Sequence, residues 1–79
     1  MQSLEAAPKV VGSKQTIRAI ESNQVSVVFI ARDTQEQLQD QLIECANKHQ
    51  VEIVFYDSME ALGEACNVEV KTATAALIK

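Results

Sequence analysis

Val25-Ser26-Val27-Val28-Phe29-Ile30-Ala31 is a β-branched run whose apolar character is almost unbroken. A strand of that kind is covered on both faces, so it demands helices above and below a sheet and a place near the sheet's centre. The remaining chain has to supply that cover. Lys9 to Val11 offers a shorter strand before it. Val51-Glu52-Ile53-Val54-Phe55-Tyr56 has only partial alternation and reads as an edge strand after it. Ala73 to Ile78 gives a last strand whose small residues suit close helix packing at a central position.

Helical signals fall between these strands. Ser13 is placed to cap a helix over Lys14 to Glu21, its hydroxyl accepting from a free amide of the first turn. The polar Ser22-Asn23-Gln24 ends that helix. Thr34 with Gln37 three residues on is a capping-box pattern, and Leu38, Leu42, Cys45 and Ala46 then recur at helical spacing to make one buried stripe. Asp57 and Glu60 repeat the cap signal for a third, short helix that turns Met59, Leu62 and Cys66 inward. Asn67 suits the left-handed conformation that ends many helices. A short helix over residues 2–7 is expected ahead of Pro8.

The alternating order predicts a single α/β domain over residues 1–79, layered, with right-handed crossovers and mostly parallel strands. No linker, low-complexity run or internal repeat divides it. Ligands of such sheets bind outside the carboxyl ends of the strands, which selects the turn from Gly12 to Arg18 and the turn at Arg32 and Asp33.

Composition narrows the function. The 79 residues stand near the lower limit for a core without metals or disulfides. Cys45 and Cys66, with no CxxC spacing and one histidine in the chain, read as small buried thiols of a reducing, cytoplasmic protein. No metal site is expected. No signal peptide or bilayer-spanning run is visible, and the formal net charge of −4 argues against indiscriminate binding to nucleic acid or anionic membranes. No membrane or DNA partner is expected. Phosphate-loop, dinucleotide, zinc-protease and hydrolase-elbow motifs are all absent, and His49 has no identifiable acidic or nucleophilic partner. The chain reads as a non-enzyme without cofactors.

Charge placement is more informative. Lys14 and Arg18 share a helix face at i and i+4, where like charges cost roughly 0.2–0.5 kcal/mol and oppose the positive end of the helix dipole. Solvated surface charge is the ordinary reading of such a pair. Together with Gly12 and the free amides of a helix start, it also suits an anion such as phosphate. If the last strand inserts antiparallel between the first two, four of the seven Lys and Arg, namely Lys14, Arg18, Arg32 and Lys71, meet at one rim. That is the footprint of a local phosphate-backbone binder on an acidic body. Phe29, Phe55 and Tyr56 all fall in strands, so the rim is expected to lack aromatic residues and base stacking is disfavoured.

Three segments then carry a resemblance: Val11-Gly12-Ser13-Lys14-Gln15-Thr16, Phe29-Ile30-Ala31-Arg32-Asp33, and Leu62-Gly63-Glu64-Ala65-Cys66-Asn67-Val68-Glu69-Val70-Lys71-Thr72-Ala73. With their G-x-K-Q-T turn and LGxAxxVEV segment in register, they resemble the kink-turn RNA-binding ribosomal protein superfamily of L-seven-Ae and L-thirty-e type. The small bacterial YbxF-type members are the most similar in this respect. The resemblance implies a three-layer α/β/α sandwich with a four-stranded mixed sheet, its last strand antiparallel. It implies binding of a kink-turn, an RNA helix bent sharply at tandem sheared G·A pairs, in ribosomal or regulatory RNA and with the ribosome as a further partner. Gly12, Ser13, Lys14, Gln15 and Arg18 would enter the groove at those pairs. Val68, Glu69, Val70, Lys71, Thr72 and Ala73 would pack on flipped-out nucleotides. Arg32 and Asp33, in the turn selected above by its place at the end of a strand, complete the expected RNA-binding residues. Lys14 and Gln15 stand where archaeal members usually have Asn and Glu. The alternative is a protein-interaction module on the same fold, working through the acidic helix face of Glu36, Asp40 and Glu44.

Overall fold

The structure, a computed structural model, describes residues 8–79, so the helix expected over residues 2–7 lies outside the described residues. Seven elements follow one another: β1 (Lys9–Val11), α1 (Ser13–Glu21), β2 (Val25–Ala31), α2 (Glu36–Lys48), β3 (Glu52–Tyr56), α3 (Met59–Ala65) and β4 (Thr74–Ile78). The strands form one sheet in the order β1-β4-β2-β3. β4 is antiparallel to both of its neighbours, and β2 with β3 is the parallel pair.

The expectation of mostly parallel strands holds for direction, since β1, β2 and β3 run the same way. The insertion of β4 between β1 and β2 nonetheless makes two of the three pairings antiparallel. The mixed sheet implied by the resemblance is the one observed.

Helices cover both faces. On one side Ala19 and Ile20 of α1 and Leu42 and Ala46 of α2 pack on Val28, Ile30 and Ala76. On the other, Leu62 of α3 and Cys66 pack on Phe29, Ala31 and Ala75. Successive residues of β2 therefore enter different cores, which is why the run has to be apolar throughout. Ile20, Ile30, Leu42 and Leu62 are fully buried, each worth about 1.5–3 kcal/mol in area removed from water. Ala75 and Ala76, also fully buried, keep β4 thin between its two helical layers.

The helix starts differ from expectation in an instructive way. Gly12 caps α1 at φ 104° and ψ 154°, a region that side chains avoid, and Ser13 is the first helical residue. The cap of α2 is Gln35, without a side-chain bond. Thr34 instead donates its hydroxyl to the Ala73 carbonyl at 3.4 Å. α3 is capped by Ser58, whose Oγ accepts from the Ala61 amide at 3.0 Å, and not by Asp57. Asn67 closes α3 at φ 60°, as expected. Cys45 is half-buried and Cys66 buried, both as free thiols, and burial pushes both above the ordinary thiol range.

Candidate functional site

The ends of β1 and β2 and the beginning of β4 lie at one edge of the sheet, joined by the backbone. The Gly12 amide donates to the Thr74 carbonyl at 3.0 Å and the Ala31 amide to the Ala73 carbonyl at 2.9 Å. The Arg32 amide donates to the Tyr56 carbonyl at 2.9 Å, and the Thr72 amide to the Met59 carbonyl at 3.0 Å. The turn after β1, the turn after β2 and the loop before β4 thus form a single rim. Four hydrogen bonds between distant parts of the sequence fix their order along it.

At the first segment, the Gly12 carbonyl starts the helical ladder by accepting from the Thr16 amide at 2.9 Å. Ser13 is half-buried, whereas Lys14, Gln15 and Arg18 are exposed. Among the described residues neither cation has an ion-pair partner, so local structure leaves both free to meet an anion. Beneath them Thr16 is fully buried, and among the described residues its hydroxyl finds no hydrogen-bond partner. An orphaned buried hydroxyl costs about 1–3 kcal/mol. Thr16 closes the G-x-K-Q-T turn, but nothing in its helical spacing marks it as buried and not as a surface threonine.

The second segment is held from three sides. The Asp33 carboxylate accepts from the Met59 amide at 2.8 Å, tying the turn to the start of α3. The Gln39 side chain donates to the Arg32 carbonyl at 3.0 Å and to the Thr34 carbonyl at 2.6 Å. Asp33 therefore has a structural task at the rim, and Gln39 is a positioning residue that the sequence does not single out. The Arg32 guanidinium stands 5.0 Å over the Phe55 ring. That contact corrects the expectation of a rim without aromatics, because β3 carries Phe55 up to the turn that Arg32 occupies.

The third segment, residues 68–73, lies against α3. The Val68 amide donates to the Gly63 carbonyl at 3.1 Å, and a Cβ at Gly63 would collide with the Val70 carbonyl oxygen. Glycine at 63 is what lets the loop sit this low. Thr72 is buried and Ala73 half-buried, whereas Glu69, Val70 and Lys71 project outward and Val70 is 70% exposed. Lys71 shares a cleft of about 430 Å³ with Glu60, Glu64, Val68, Glu69 and Val70. The four cations therefore sit in three settings: Lys14 and Arg18 exposed on a helix, Arg32 against a ring, and Lys71 among carboxylates. Backbone is shared along the rim more evenly than charge.

Away from the rim, a groove of about 240 Å³ between α1 and α2 is lined by Ile17, Glu21, Gln41, Glu44, Cys45, Lys48 and His49. The His49 Nδ1 is 3.3 Å from the Asn23 Oδ1. Among the described residues no group of three His, Cys, Asp or Glu side chains is arranged to hold a metal ion, and no helix is long and apolar enough to cross a membrane.

Residues 2–79 match the pattern described as Ribosomal protein L7Ae/L30e/S12e/Gadd45 family. An RNA-binding protein of Halalkalibacterium halodurans is 39% identical over 75 residues, spanning 95% of this chain and 92% of that protein. The RNA-binding protein YbxF of Geobacillus stearothermophilus is 34% identical over 76 residues, spanning 96% and 93%. The solved 15.5kD RNA binding protein of Giardia lamblia superposes with a TM-score of 0.81 at 28% identity, covering 91% of this chain and 61% of that one. A Bacillus halodurans protein of unknown function reaches a TM-score of 0.87 at 17% identity, a likeness of fold that covers 98% of this chain and 77% of its own.

Proposed function

The chain belongs to the Ribosomal protein L7Ae/L30e/S12e/Gadd45 family, and from that membership we propose that it is a non-catalytic RNA-binding protein that recognises and stabilises a kink-turn in ribosomal or regulatory RNA. The similar proteins named for RNA binding support the partner class. The observation that carries the finer reading is the backbone seam in which Gly12 bonds Thr74 and Ala31 bonds Ala73. It gives the start of α1 and the loop before β4 a fixed separation and orientation, as a ligand of one defined bend needs.

Two kinds of contact follow from that geometry. The regular helix start presents Lys14, Gln15 and Arg18, with the amides of Ser13 and Lys14, to the groove and phosphates at the G·A pairs. The loop offers the Val70 side chain and the backbone of residues 68–73 to nucleotides that the kink expels from the stack. Glu69 and its carboxylate neighbours are badly suited to a phosphate backbone, so this side of the rim reads base edges and apolar base faces. Such a protein would act in the cytoplasm, in keeping with two free thiols.

A gel-shift comparison of a kink-turn RNA with its twin lacking the G·A pairs, repeated across salt concentrations, tests the proposal. The intact RNA should bind much more tightly at every salt, with affinity falling as salt rises. Equal affinity for the kink-turn and for plain duplex would overturn it. Replacing Lys14 and Arg18 by Gln should weaken kink-turn binding by about 10–100-fold while the fold persists. Cellular function that survives this replacement would point instead to the acidic α2 face, where Glu36, Asp40 and Glu44 are all exposed.

A further inference from the structure

Of the large apolar side chains, Phe55 and Val70 are the exposed ones among the described residues, at 37% and 70%. Val70 belongs to the loop already assigned to the RNA. Phe55 does not, and nothing in the fold requires an aromatic ring at that place. It stands directly across from Ile30 in the sheet, yet Ile30 is fully buried and Phe55 is not, because β3 is the outermost strand among the described residues. The guanidinium of Arg32 lies 5.0 Å from the ring centroid. Arg32 itself is fixed at its amide by the Tyr56 carbonyl and at its carbonyl by Gln39. A planar cation and a planar ring are thus held together at the β3 end of the rim, and both are open to solvent.

Resting on the RNA-binding reading above, we infer that Arg32 and Phe55 form a stacking platform that receives one unpaired nucleobase of the bound RNA. Every base has a π face that can stack on an aromatic ring or a guanidinium plane. A phosphate is a poor occupant, since exposed carboxylates at Asp33 and Asp57 adjoin Arg32 and Tyr56 in the chain. A neutral base adds its face to the Arg32–Phe55 pair without meeting that repulsion. The subsite extends the rim beyond α1 and the β4 loop to the edge of the sheet.

The test is a thermodynamic cycle. Wild-type protein and Phe55→Leu, which keeps apolar volume and removes the π face, are titrated with a kink-turn RNA and with versions in which each unpaired nucleotide in turn is abasic. Phe55→Leu should weaken binding of the intact RNA by about tenfold, in the range of one base stacked on one aromatic ring. With one particular abasic RNA it should cause no further weakening. Thermal unfolding of the variant, expected to match wild type, separates a folding defect from the removal of a stacking surface. An equal loss on every RNA, or no loss on any, would overturn the platform while leaving kink-turn recognition standing. Failure of the wild-type protein to bind the kink-turn would overturn both.

Discussion

The start of α1 and the loop over α3 lie along the same rim and are built in opposite ways. At α1 a regular helix presents exposed side chains, and one glycine conformation at Gly12 sets their direction. In residues 68–73 the backbone is the feature under control, held by hydrogen bonds to Gly63 and Met59 and seated where a Cβ at Gly63 would strike the Val70 carbonyl. The first region carries charge that can be removed without disturbing the fold. The second carries shape, and shape cannot be removed without disturbing what lies beneath it.

Gly63→Ala breaks the second region from below and should have the largest effect. The helix-propensity gain of about 1 kcal/mol is outweighed by overpacking against backbone, for a net destabilisation of about 1–3 kcal/mol in denaturant unfolding. RNA affinity should fall with it as the loop is pushed out.

Lys14→Gln with Arg18→Gln breaks the first region and should do the reverse. Unfolding should be unchanged or improved by roughly 0.2–0.5 kcal/mol, since a like-charge pair has been removed. RNA affinity should drop by about 10–100-fold, and the dependence of log affinity on log salt should become shallower by about one for each phosphate that no longer meets a cation. If both variants lost stability and affinity in proportion, the contrast between the two regions would be wrong.

Asp33→Ala sharpens the contrast. Losing the carboxylate that accepts from the Met59 amide should cost about 0.5–2 kcal/mol, as for the removal of other helix caps, measured by chemical denaturation. Because α3 supports the loop, binding should weaken as well, although Asp33 need not touch the RNA. Val70→Ser should leave stability unchanged, the side chain being 70% exposed, and reduce affinity for the kink-turn several-fold.

The smallest effect concerns the thiols. Burial raises both above their ordinary 9.0, so the unfolded chain gives up these protons first. Stability should hold below pH 9 and decline as pH rises toward the folded-state values, and Cys66→Ala should flatten that decline.

The elements behind these two regions are not equally legible in the sequence. β1 and β2 fall where their apolar runs put them, because the period and extent of such runs are local properties. The helix caps are not local. Thr34 has the right neighbours for a capping box, but its hydroxyl reaches Ala73, 39 positions away, and no pattern within one helix contains that partner. Ser13 offers an ordinary cap, yet the junction between β1 and α1 needs a positive φ that only Gly12 provides cheaply. Phe55 falls in a run whose partial alternation already reads as an edge strand, as the sheet order confirms. Its place in the rim is not legible there, because that depends on the contact with Arg32 from a different turn. The bearing of Lys71 on the charge of the rim also needs the fold, since the glutamates around it come from both α3 and its own loop.

The position of β4 has a consequence for how the protein is made. Its residues, Thr74–Ile78, fill the slot between β1 and β2, so β1 has no strand to pair with until that segment has been synthesised and has cleared the exit tunnel. A nascent chain stopped short of Thr74 would leave β1 unpaired, one edge of β2 open and the core divided. Acquisition of the native state should come late and abruptly, as the closure of long-range pairings generally does, and the emerging chain would need shielding until then.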